Sequence, residues 1–104
     1  MTRELLPQRR PSETFTFDHG GFEYRVTIGF YPAGRIGEVF LSAAKSGAAL
    51  DIATRDSAIL LSFALQHGAT VEQIRSAMTR NVAGRPEGAM GVLLDRIPLT
   101  PPSP

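Results

Sequence analysis

The chain has 104 residues, eleven basic and ten acidic side chains, a formal charge of +1 and 42% hydrophobic content, which indicates one domain of ordinary globular composition. It contains no cysteine, so these residues carry no disulfide, thiolate metal site, iron–sulfur cluster or thiol redox cycle. No apolar run reaches the length of a bilayer span and no secretory leader pattern opens the chain, so a soluble, cytoplasmic protein without membrane contact is expected.

In chain order, residues 1–12 hold Arg3, Arg9 and Arg10 between Pro7 and Pro11 and read as a flexible N-terminal arm. Basic residues cluster nowhere else, which argues against a nucleic-acid partner. Residues 14–18, TFTFD, place Phe15 and Phe17 on one face, and His19-Gly20-Gly21 makes a turn. FEYRVTIGF (22–30) alternates likewise, with Phe22, Tyr24, Val26 and Ile28 on the apolar face and Glu23, Arg25 and Thr27 on the other. Pro32 to Gly37 turns the chain into a third strand, EVFLS (38–42), completing an antiparallel meander with one buried face.

The second half is helical. Leu50 to Gln66 forms a long helix, apolar over most of its circumference and so expected at the centre of the core. Gly68 stops it, and Thr70 with Gln73 forms a capping box for a second helix carrying Val71, Ile74 and Met78. Pro86 suits the first turn of a third helix ending at Ile97. The expected fold is α+β, in the order β-β-β-α-α-α, as one domain over 13–97. A proline-rich disordered tail, PLTPPSP (98–104), follows.

The candidate chemistry is sparse. Gly34-Arg35-Ile36-Gly37 has the spacing of a backbone-clamping GxxG loop, but it joins strands where that loop joins helices, so a hairpin turn explains it. Ser42-Ala-Ala-Lys45 matches an SxxK motif by chance. Lys45, Ser46 and Gly47 precede the long helix, whose free N–H groups could hold an anion together with Arg35. Asp56 falls on the stripe of Leu60, Phe63 and His67 and is expected as a buried ion-pair carboxylate, with Arg25 or Arg75 as partner. No catalytic set, metal site or cofactor site emerges. A hydrolase built on Asp56 and His67 lacks the companion groups such chemistry needs.

From Phe22 to Arg80 the pattern is an amphipathic strand, the turn GRIGEVF (34–40), a Lys-Ser-Gly step (45–47), a helix ending LLSFALQHG (60–68), and TVEQIRSAM (70–78). This order and spacing resemble the TSCPD domain, found at the C-terminal end of vitamin B12-dependent ribonucleotide reductases and as small stand-alone proteins. The Thr-Ser-Cys-Pro-Asp motif itself is missing, as are the cysteines that exchange electrons in the large enzymes, and the chain has no room for the radical barrel. The resemblance therefore implies an accessory or regulatory module working through protein contacts, with a ribonucleotide reductase or with a second copy in a homodimer. The alternative is a small binder of a phosphorylated ligand or nucleic acid through the 34–47 region.

Overall fold

The computed structural model describes residues 2–97, so the proline-rich tail at 98–104 lies outside the described residues. Three antiparallel strands, β1 (Ser12–His19), β2 (Phe22–Phe30) and β3 (Ile36–Ser42), form a sheet in the order β1-β2-β3. A short 3-10 turn at Ala44–Ser46 leads into α1 (Ala48–Gln66), then α2 (Val71–Ala77) and α3 (Ala89–Arg96). This is the α+β, β-β-β-α-α-α architecture that the alternation and the helical period imply.

The sheet's register follows its alternation. Phe15 pairs with Val26, Phe17 with Tyr24, and Ile28 with Val39. The Phe17 and Tyr24 rings stack with centroids 5.3 Å apart, an aromatic pair across neighbouring strands. The tight β1–β2 turn needs positive φ at both central residues, and Gly20 (61°) and Gly21 (85°) supply it. The buried face of the sheet meets Ala58, Leu61 and Leu65 of α1 and Leu93, Leu94 and Ile97 from α3 and its end. Leu93 and Leu94 have no exposed surface at all.

α1 lies along the outer edge of β3. An edge strand presents unpaired N–H and C=O groups that would otherwise template aggregation. Here three helix side chains satisfy several of them. The Gln66 amide donates to the Gly37 carbonyl at 2.8 Å. Ser62 Oγ accepts from Val39 N–H at 2.9 Å and lies 3.1 Å from the Val39 carbonyl. Asp51 accepts from Ala43 N–H at 2.9 Å. Their spacing, with Ser62 and Gln66 one turn apart, lets a straight helix track an extended strand.

Two expectations require correction. α1 does not bury its whole apolar circumference. Its buried arc is Thr54, Ala58, Leu61 and Leu65, while Ile52 (58% exposed), Ile59 (52%), Leu60 (72%) and Phe63 (44%) face outward. Pro86 does not open the third helix. It forms an isolated bridge with Arg80, and α3 begins three residues later after Gly88. Pro86 instead packs against Gly91, where a Cβ would come within 2.8 Å of the proline ring.

The ends of the helices behave as their residues suggest. Gly68 adopts φ 102° and donates its N–H to the Leu65 carbonyl, closing α1. Thr70 and Gln73 form the reciprocal capping box of α2, with bonds of 3.1 and 2.9 Å. Arg75 of α2 reaches the carbonyls of Leu94 and Ile97 and so caps the end of α3.

Candidate functional site

The residues expected to hold an anion are not brought together. Gly47 precedes the first turn of α1, whereas Arg35 donates to the Leu65 carbonyl in its last turn, 3.3 Å away. A helix of 19 residues puts those ends roughly 28 Å apart. Arg35 is also engaged elsewhere: it pairs with Glu4 and lies 4.2 Å over the Tyr31 ring. Ser46 does not cap α1. Its hydroxyl donates to the Ala43 carbonyl, 2.5 Å away, within the 3-10 turn, and Lys45 beside it is exposed. The start of α1 already holds a carboxylate of its own, since Asp51 sits in the first turn, where the helix dipole favours negative charge. No single phosphate cradle spans 34–47.

Asp56, expected to be buried, is exposed. Its neighbours on the helical stripe are apolar, but that stripe faces away from the core. Arg75 caps α3 and lies 3.7 Å from Asp95, and Arg25 is exposed on the sheet's open face. The carboxylates that the fold does sequester are others. Glu38 is only 9% exposed and forms a two-pronged pair with Arg10, one contact of 3.0 Å. Its side chain crosses Gly29 on the neighbouring strand, where any Cβ would overlap the carboxylate. The Glu38 carboxylate raises the Arg10 pKa further above its ordinary value. The sequence signal for this pair was a glycine facing a glutamate across β2 and β3, legible only once the register is known.

Asp51 and Asp95 are the acids with displaced protonation. The Ala43 N–H holds the Asp51 carboxyl below its ordinary value, helped by Ser42 Oγ at 3.1 Å and by Arg55. Arg80, bonded to both Asp95 oxygens at 2.7 and 3.0 Å, does the same for Asp95. Both folded pKa values lie below the unfolded one, so their stabilisation is complete above the ordinary value of 3.8 and disappears as pH falls through the folded values. Thermal melts should accordingly be flat near neutrality and drop steeply below about pH 4, with Asp51→Asn plus Asp95→Asn flattening that acid limb. An unchanged acid limb in the double variant would show that these contacts do not couple to folding.

Among the described residues two concave surfaces stand out. A cleft of about 840 Å³ opens between Arg35, Phe15 and Ile28 on one side and Leu65, Val71 and Ile97 on the other, and the described chain ends on its wall. A groove of about 500 Å³ runs between α1 and the open face of the sheet. Phe40 (56% exposed), Ile59 and Phe63 line it, with Arg3, Arg25 and Arg55 around its rim. The Arg3 guanidinium lies 4.4 Å over the Phe63 ring and its Nε donates to Gln66 Oε1 at 2.5 Å. The groove is continuous with the outward apolar strip of α1. Sequence reasoning missed this surface because it assigned those side chains to the core. Among the described residues no group of three or more potential metal ligands occurs, and no helix is long and apolar enough to cross a membrane.

Fold and surface together define a small α+β domain whose internal charges are largely tied up in structural pairs and whose exposed feature is apolar. Residues 1–97 match the TSCPD domain, and the chain belongs to that family. It is similar to the vitamin B12-dependent ribonucleotide reductase of Rhodopirellula baltica, 39% identical over 69% of this chain but only 7% of the relative. The enzyme of the same name from Agrobacterium fabrum is 38% identical over 74% of the chain and 6% of its own length. That from Streptantibioticus cattleyicolor is 37% identical over 83% of the chain and 14% of its own length. The chain thus spans a small fraction of these relatives. No solved structure matches it.

Proposed function

We propose that the protein is a non-catalytic accessory or regulatory component of ribonucleotide reduction, acting in the cytoplasm through protein contacts in support of deoxyribonucleotide synthesis. The observation that carries this reading is the outward strip of α1. Four large apolar side chains on one helix face, adjoining a groove floored by Phe40, form a patch of the kind that marks protein interaction sites. The similarity to ribonucleotide reductases, in which the matching region is a minor part of the whole, supports a reductase as partner. The chain supplies no cysteine for electron transfer, so its contribution is binding. The alternative partner is a second copy of the chain, in a homodimer.

The test is affinity capture of the tagged full chain from its native host, followed by mass spectrometry. Reproducible enrichment of a ribonucleotide reductase supports the assignment. Repeated capture that returns no protein of nucleotide reduction overturns it.

A further inference from the structure

The strip of α1 has two unlike flanks. On one, Leu60 is the most exposed large apolar side chain of the helix at 72%, with exposed Asp56 one turn before it. On the other flank, Ile59 and Phe63 form a wall of the groove closed by Phe40; Arg25 and Arg55 also line it, Arg55 already paired with Asp51 at 3.1 Å, and Arg3 lies over the Phe63 ring. One flank therefore offers an apolar knob beside a carboxylate, and the other an apolar hole ringed by guanidinium groups.

We propose that two copies of this chain dimerise across α1 about a two-fold axis, with Leu60 of each copy seated in the groove of the other. Asp56 of each copy then faces the partner groove's arginines. This rests on the reading of the α1 strip as a contact face and names its occupant. A two-fold interface requires one patch to complement itself. Helices packed strip to strip in broadly the same direction bring opposite flanks together, so knob meets hole twice and acid meets base twice. The charges fit this occupant. Arg25 is exposed and in no ion pair among the described residues, and Arg3 contacts Phe63 and Gln66 but no carboxylate there. A formal charge of +1 per chain adds little long-range repulsion between copies.

The area is also sufficient. From their fractional exposures, the four strip side chains and Phe40 present roughly 500 Å² of apolar surface, near the upper end of the largest patch on an ordinary monomer. With the arginine stems around the groove, the patch approaches the ~800 Å² that each partner gives to a standard interface. Pairing through β3 is not open to a second copy, because α1 already occupies that strand's edge.

Analytical ultracentrifugation of the full chain from about 1 to 100 µM reads the outcome. The expected species has twice the 11.2 kDa chain mass. Leu60→Asp and Phe40→Asp should each weaken association tenfold or more while circular dichroism stays unchanged, and Asp56→Arg should weaken it in a salt-dependent way. Because the chain has no cysteine, mixing Leu60→Cys with Phe40→Cys copies gives a clean geometric check. Oxidation should cross-link the two variants to each other in preference to like with like. A wild-type monomer at 100 µM, or a dimer indifferent to both Leu60→Asp and Phe40→Asp, overturns the proposal. A monomer that still captures a reductase removes this dimer and leaves the proposed function standing. A dimer with the expected cross-link that captures none does the reverse.

Discussion

Replacing Leu93 by alanine should destabilise the protein by about 2–5 kcal/mol, the usual cost of truncating a wholly buried leucine and leaving a cavity. Leu93 has no exposed surface, and it anchors the helix least able to hold itself. α3 has only eight residues, contains Gly91, and starts at Gly88 without a side-chain cap. An isolated helix of that length does not form in water, so its order depends on packing. Urea denaturation is the direct measurement, and the melting temperature should fall by roughly ten degrees or more. A loss under 1 kcal/mol would mean that α3 contributes little to the cooperative core.

The second large effect concerns the edge of β3. Ser62→Ala removes the acceptor for Val39 N–H and the hydroxyl beside the Val39 carbonyl, leaving both backbone groups facing an apolar helix side. Stranding a buried backbone group costs about 1–3 kcal/mol, more than a net hydrogen bond is worth. The loss should be local as well as global. Amide exchange at Val39 should accelerate far more than at Val26, which lies in the central strand. Equal protection of Val39 in both proteins would show that water or a backbone shift replaces the hydroxyl. Because the edge then lies partly open, the variant should also aggregate more readily during refolding.

Much of this fold could be read from the residues, and the reasons are local. β1 and β2 alternate strictly, a glycine pair marks their turn, and Thr70 with Gln73 announces α2. The long helix was equally plain in extent, but not in orientation. Its circumference is apolar on both sides of the polar positions, and a wheel cannot rank two apolar faces. The core took the arc of Thr54, Ala58, Leu61 and Leu65, on which the small Thr54 and Ala58 let α1 lie close beside β3. Ile52, Ile59, Leu60 and Phe63 were left outward, and Asp56 went with them. The Lys45–Gly47 step and Arg35 looked like one constellation because they are near in sequence. The intervening strand and the full length of α1 separate them in space. Glu38 was invisible as a buried charge, since its counter-ion is 28 positions away and its room comes from a glycine on another strand.

The contacts of residues 2–11 have a practical bearing on how the protein is prepared. Arg10 neutralises Glu38, the Glu4 backbone accepts from the Tyr31 hydroxyl and donates to the Gln66 carbonyl, and Phe30 N–H bonds to the Pro11 carbonyl. A shortened clone starting at the first strand would strip a nearly buried carboxylate of its cation and unseat the end of α1. Purification tags are better joined through a spacer ahead of residue 1, and trimming to the regular elements would give a weaker protein than the full chain.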